Sequence, residues 1–196
     1  MKRLFISLVA GLSLLACSQQ APKNYYEIEG RISGVEDGAV FTLFRVTGDP
    51  APGIAHDTLR DGKFYFRVEP EQAKEHLTVL CWQDDYPSMP VHLWAKAGDR
   101  VRIKGDDKLI YTWRVKGSEP ENKSWQGYVR SAEELYDKLQ RVMLEEGQLY
   151  LSNEDPSLIQ SRYDSLGRVQ QDIMVDIHGR IIEHMKRQKM DDVGLI

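Results

Sequence analysis

His56-Asp57-Thr58-Leu59-Arg60-Asp61-Gly62-Lys63-Phe64-Tyr65-Phe66-Arg67-Val68 decides the fold class of this 196-residue chain. Phe64, Phe66 and Val68 alternate with Tyr65 and Arg67, the period of two that sends successive side chains to opposite faces of a strand. Asp61-Gly62 before them tolerates the positive φ that a type I′ turn needs at both central positions. A strand over residues 54–59 is therefore expected to turn back tightly into a second one over 63–68.

The same period extends in both directions. Tyr26, Ile28 and Ile32 share one face upstream, and Val40, Thr42, Phe44 and Val46 share a face of the next segment. Downstream, strands are expected over 77–83, 91–96, 100–104 and 108–116, the last with Leu109, Tyr111, Trp113 and Val115 pointing one way. Glu36-Asp37-Gly38, Gly48-Asp49-Pro50, residues 84–90 and Ala97-Gly98-Asp99 supply the turns. Short strands at regular spacing predict an antiparallel β-sandwich or barrel-like domain over residues 25–117.

After Gly117-Ser118 the period changes. Trp125, Tyr128, Val129, Ala132, Leu135, Tyr136, Leu139, Val142 and Met143 follow the i, i+3, i+4, i+7 spacing of one amphipathic helix. Ser152-Asn153-Glu154-Asp155-Pro156 restarts the chain with a capping residue and a proline at the first helical position. The stripe of Ile159, Leu166, Val169, Ile173, Ile177, Ile181 and Met185 carries a second, long helix to about residue 188. Two helices joined by a short loop predict a long antiparallel helical hairpin over 118–190, so the fold class is α+β.

The first 24 residues give an address. Met1-Lys2-Arg3 is followed by an apolar stretch of 13 residues, 4–16, too short to span a bilayer, which reads as a signal peptide over residues 1–16. Leu14-Leu15-Ala16-Cys17 resembles the lipobox of bacterial lipoproteins, which implies that Cys17 is acylated and becomes the mature first residue. Several acyl chains give the stable membrane anchoring that one chain cannot. Residues 17–24 then form a polar, lipidated tether. By resemblance to lipoprotein sorting signals, Ser18 after the cysteine favours the outer membrane, facing the periplasm.

Composition narrows the function classes. Lys plus Arg total 26 against 30 Asp plus Glu, a formal charge of −4, and no basic run is dense enough to follow a phosphate backbone, so nucleic acid is not an expected partner. Cys17 and Cys81 are the two cysteines, and no C-x-x-C exists for a zinc ribbon or a dithiol site. With Cys17 acylated, Cys81 stands alone in the apolar run Leu77-Thr78-Val79-Leu80-Cys81-Trp82, a setting that favours burial over reactivity.

Tyr26-Glu27-Ile28-Glu29-Gly30-Arg31-Ile32, the Asp37-Gly38 turn into Val40-Phe41-Thr42-Leu43, and Asp57-Thr58 with Asp61-Gly62-Lys63-Phe64-Tyr65-Phe66 follow the lipobox in that order. Ala97-Gly98-Asp99-Arg100-Val101-Arg102-Ile103-Lys104-Gly105-Asp106 and Val115-Lys116-Gly117-Ser118 with Asn122 come after them. Over residues 25–188 this series resembles an N-terminal domain of unknown function in Gram-negative envelope lipoproteins. That domain usually precedes a TlpA/ResA-like thioredoxin domain, a membrane-tethered thiol-disulfide oxidoreductase. The chain departs from the pattern in having no Trp-Cys-x-x-Cys and, after Met190, no stretch of the roughly 100 residues a thioredoxin domain needs. No catalytic residue carries over. The resemblance implies either a stand-alone accessory module or the front part of a redox enzyme.

The chemistry-bearing residues give no enzyme pattern. His178 and His184, six apart, lie about 240° round a helix, and Asp172, Asp176 and His178 match no zinc motif. Asp84-Asp85 and Asp106-Asp107 read as turn or capping residues. There is no phosphate-binding glycine loop and no G-x-S-x-G elbow. Asn122-Lys123-Ser124 fits a glycosylation sequon that is idle in a bacterial lipoprotein. Among the strand-borne aromatics, Tyr111 and Trp113 read as core, whereas Trp82 and Tyr86, at a strand-to-loop exit, are the ligand candidates because aromatic faces can stack on sugars or cover a peptide. The expected function is a non-catalytic, lipid-anchored binding or positioning module without cofactor or metal. Its expected partners are a thioredoxin-like protein or a second copy of itself, met through the hairpin. A glycan- or peptide-binding β-sandwich is the alternative.

Overall fold

The alternating segments become strands in the computed structural model of the chain, which describes residues 23–47, 52–152 and 155–188. The leader, Cys17, most of the tether, the Gly48-Asp49-Pro50 turn, Asn153, Glu154 and residues 189–196 lie outside the described residues. The strands are β1 (Tyr26–Ile32), β2 (Val40–Arg45), β3 (Ala55–Thr58), β4 (Lys63–Val68), β5 (Glu75–Cys81), β6 (Val91–Ala95), β7 (Arg100–Gly105) and β8 (Arg114–Lys116). They form two four-stranded sheets that do not close on one another, sheet A in the order β4-β1-β7-β8 and sheet B in the order β3-β2-β5-β6. The chain is α+β, with a helical region after the sheets.

The sheets share one apolar core. Ile28, Phe64, Phe66 and Val101 of sheet A meet Phe41, Leu43, Val79 and Leu93 of sheet B. Phe41 stacks on Phe64 at 4.7 Å between ring centres and meets Trp113 at 5.5 Å. Gly30, opposite Phe64 in the ladder, lets that ring lie flat on the backbone, because a Cβ there would fall 2.1 Å from it.

The Asp61-Gly62 turn takes the expected backbone, with φ of +51° and +65°, but beyond the Arg60–Lys63 bridge β3 and β4 do not pair as the expected hairpin. Arg60 and Lys63 exchange two backbone hydrogen bonds of 2.9 Å across it, and the chain passes there from sheet B into sheet A. The carboxylate of Asp37 accepts the N–H groups of Asp61 at 2.7 Å and Gly62 at 3.1 Å, which ties the turn down.

Four expectations need correction. Sheet A is mixed rather than antiparallel, since β1 pairs with β7 in parallel, Ile28 opposite Val101. All of sheet B lies between them in the chain, a connection long enough for parallel pairing. The core face of β2 is Phe41 and Leu43, with Val40, Thr42 and Phe44 turned outward, because both faces of this strand carry apolar groups and alternation alone does not choose between them. Residues 108–116 are not one strand. Leu109 and Ile110 are both buried, which successive strand residues on one face cannot be, and a 3₁₀ turn at Ile110–Thr112 precedes the three residues of β8.

The fourth correction is in the helices, α1 (Pro120–Ser131), α2 (Glu133–Tyr150) and α3 (Pro156–Gln188). The single helix expected through residue 143 breaks at Ala132, whose φ and ψ are −134° and 25°. Ser131 Oγ donates to the Tyr128 carbonyl one turn back at 2.7 Å, a bond that bends helices. Asp155 caps α3 by accepting the Ser157 N–H at 2.8 Å, with Pro156 at the first position. Gln170 Nε2 reaches Glu146 at 2.7 Å, while Ile173, Ile177 and Ile181 pack with Val129, Tyr136 and Leu139.

Three buried side-chain amides stitch the helices to the sheets. Asn122 donates to the Trp94 carbonyl at 2.8 Å and accepts the Trp94 N–H at 2.9 Å, closing the free edge of β6. Gln126 donates to the Trp113 carbonyl at 3.2 Å, and Gln140 accepts the Tyr111 N–H at 2.9 Å. An edge strand that would otherwise template pairing is thereby occupied within the chain.

Candidate functional site

The outward face of sheet B is covered on one half and open on the other. On the covered half, the β5–β6 register sets His76 opposite Trp94 and Thr78 opposite His92. His76 Nε2 lies 3.0 Å from His92 Nδ1. The His76 ring stacks on Trp94 at 4.1 Å and 7°, and His92 tilts against Trp125 of α1 at 4.6 Å. Tyr111 and Tyr136 extend the cluster towards α2. Burial lowers the pKa of His76, and burial together with neighbouring His76 pushes His92 down to about 4. This pair is a neutral, packed element of the sheet–helix junction. Nothing in the sequence pairs two histidines sixteen residues apart; only the ladder register does.

On the open half stands Trp82, one residue past β5 and 69% exposed, edge-on to Phe44 at 6.2 Å with Val40 exposed on the same strand as Phe44. Tyr86, the other aromatic candidate, is only 7% exposed and meets the core ring of Phe41 edge-on at 5.9 Å. Phe41 and Phe44 lie on opposite faces of β2, so the structure does not bring Trp82 and Tyr86 to one surface. Of these two candidates, only Trp82 offers an exposed aromatic face to a ligand.

The thiol of Cys81 is free and buried in the core between the sheets. Burial pushes its pKa up, away from the thiolate that redox chemistry requires. Of the acidic pairs singled out by sequence, Asp107 accepts the Leu109 N–H at 2.8 Å, and Asp85 pairs with Lys108. Glu75 accepts hydrogen bonds from Tyr26 Oη, Arg45 Nε and the Glu71 N–H, each at 2.8 Å. His184 sits against Tyr128, and His178 is exposed about one and two-thirds turns before it. Among the described residues no group of three His, Cys, Asp or Glu side chains is placed to hold a metal ion, and no helix is long and apolar enough to cross a membrane.

The helical region leaves apolar surface uncovered. Val175 and Ile182 of α3, two turns apart on one side, are 64% and 51% exposed, and Met185 continues that side by a further turn. Beside them Ile173, Ile177 and Ile181 are packed against α1 and α2. Comparison of the chain with protein-family models, with curated proteins and with solved structures found no match.

Proposed function

We propose that this chain is a cell-envelope lipoprotein, anchored through acylated Cys17 on the periplasmic side of the outer membrane. In this reading a β-sandwich carries an antiparallel helical hairpin, and the whole is a non-catalytic module that binds or positions a thioredoxin-like thiol-disulfide oxidoreductase. The observation that carries it is the uncovered side of α3, where Val175, Ile182 and Met185 face water beside a packed stripe. Each such side chain contributes roughly 1.5–3 kcal/mol when fully buried, so a partner that covers this side gains affinity from it. A buried Cys81 thiol is consistent with this reading, in which the redox chemistry belongs to the partner. The lipid restricts the search to a surface, and the Asn122, Gln126 and Gln140 amides hold the helices against the sheets for that partner.

A photoreactive residue at Ile182, in the full chain in its native membrane, tests the reading. The expected result is an adduct to a protein that contains a C-x-x-C, with none from the same residue at Arg60 on the distant β3–β4 turn. An Ile182 adduct to a second copy of the chain turns the reading into self-association, and no adduct from Ile182 overturns it.

Trp82 favours a second reading, a glycan- or peptide-binding module, through its exposed ring beside Phe44. Here Trp82→Ala is expected to abolish a tryptophan fluorescence change produced by envelope oligosaccharides. A parent protein whose fluorescence ignores them contradicts that reading.

A further inference from the structure

The outward face of sheet A concentrates positive charge in a chain whose formal charge is −4. Strand β7 turns Arg100, Arg102 and Lys104 outward, and β8 turns Arg114 and Lys116 the same way. The ladder sets Arg102 directly opposite Lys116 and Lys104 directly opposite Arg114. Like charges facing each other across strands destabilise a sheet, so this arrangement carries a cost in the free protein. Helix α1 runs alongside and adds Lys123 and Arg130, enclosing a groove of about 720 Å³. That volume is in the range of pockets for small-molecule ligands.

Six cationic side chains line the groove: Arg102, Lys104, Arg114, Lys116, Lys123 and Arg130. Glu133 pairs with Arg114. Among the described residues no carboxylate lies within ion-pair distance of the other five. Two neighbouring cations on the same sheet are matched by contrast, since Arg31 and Arg100 both reach Glu29, at 2.6 and 3.2 Å. Lys63 and Arg67 of β4 lie outward on the same sheet without an ion pair, but they stand apart, whereas the β7–β8–α1 groove gathers its unpaired cations into one concavity. At its far end Lys104 and Arg114 border an acidic recess formed by Asp106, Asp107 and Asp137. The unopposed positive charge is centred on Arg102, Lys116, Lys123 and Arg130. Guanidinium groups bind phosphate oxygens with paired, charge-assisted hydrogen bonds, and ammonium groups add point charge beside them.

We propose that this groove is a binding site for a phosphate-bearing anion carrying more than one negative charge. Such a ligand supplies the counter-charge that the opposed Arg102–Lys116 pair lacks, and the apolar Val115 on the groove wall accommodates a non-ionic part of it. The same chemistry arrives either as a soluble phosphate compound or as the headgroup of an anionic lipid. The site depends on the sheet and on α1, not on the anchor at Cys17.

The test uses the purified chain, inorganic pyrophosphate measured by calorimetry, and cosedimentation with vesicles of phosphatidylglycerol in phosphatidylcholine. Arg102→Gln with Lys116→Gln removes one opposed pair, which relieves repulsion, so the variant is expected to keep its fold, as circular dichroism will report. Lys63→Gln with Lys138→Gln removes the same charge elsewhere. Saturable binding of pyrophosphate, weakened at least tenfold by the groove variant and less than twofold by the control, supports a soluble ligand. Binding to the anionic vesicles alone, with the same dependence on the variants, supports a lipid headgroup. Binding to neither probe, or equal weakening by both double variants, overturns the proposal.

Discussion

His76 Nε2 stands 3.0 Å from His92 Nδ1, so one ring nitrogen donates, the other must be unprotonated to accept, and protonating both rings breaks the contact. Unfolded histidine titrates near pH 6.5, whereas His92 in the fold is held down at about 4. Between those values the unfolded chain binds more protons, so the contribution of His92 is complete above pH 6.5 and is lost as the pH falls through 4. It amounts to about 3 kcal/mol by pH 4. Urea midpoints across this window should fall with acidity in the parent and fall less steeply in His92→Phe, which keeps a ring in the cluster. Parallel profiles would contradict a neutral pair.

Glu75 gives a second, oppositely built case. Burial pushes its carboxyl pKa up, but the Glu71 N–H, Arg45 and Tyr26 together outweigh that and leave it below the ordinary value. Its contribution is therefore present above the unfolded carboxyl pKa and lost as the pH falls below it. Arg45→Met strands the buried charge and is expected to cost about 3–5 kcal/mol. Tyr26→Phe removes one hydrogen bond to a charged acceptor and is expected to cost about 1.5–3 kcal/mol. Equilibrium urea unfolding checks both, and an Arg45→Met protein as stable as the parent would show that the network contributes nothing.

Gly62 is required by the turn between the sheets. At φ +65° an alanine Cβ would come within 2.6 Å of the Ile32 carbonyl oxygen, so Gly62→Ala is expected to lose about 1–3 kcal/mol. Asp61→Asn, at φ +51°, keeps a residue type that accepts this conformation and should melt close to the parent. Thermal unfolding followed by circular dichroism separates the two.

Cys81 is expected to resist an aromatic disulfide reagent in the native chain and to react completely in denaturant. Its labelling rate should follow the opening of the core rather than the thiolate fraction in solution. Rapid native labelling would place the thiol at the surface and reopen a redox role for this chain.

Much of the sheet layout was legible because alternation and turn chemistry are local. Phe64 and Phe66 point inward as their period requires, and Asp61-Gly62 adopts the two positive φ angles its composition favours. What was not legible depends on partners distant in sequence. Alternation is blind to the direction of a neighbouring strand, so the parallel β1–β7 pairing was hidden. Val40, Thr42 and Phe44 looked as apolar as Phe41 and Leu43, and only the opposing sheet selects the second set. The break at Ala132 lies inside an unbroken helical period and follows from one side-chain hydrogen bond and the docking of α1 on β6. The candidate surfaces divide the same way. Trp82 was visible as an aromatic at a strand exit, while the groove joins Arg102, Lys116, Lys123 and Arg130 from three elements and is drawn together only by the β7–β8 ladder and α1.

The intact mass of the full chain isolated from its own membranes tests the proposed anchoring most directly. The predicted result is a polypeptide beginning at Cys17 and carrying a glyceride and acyl chains on that residue, with Cys17→Ser abolishing both the modification and the membrane association. A chain that keeps Met1, or that begins elsewhere with an unmodified Cys17, would contradict it.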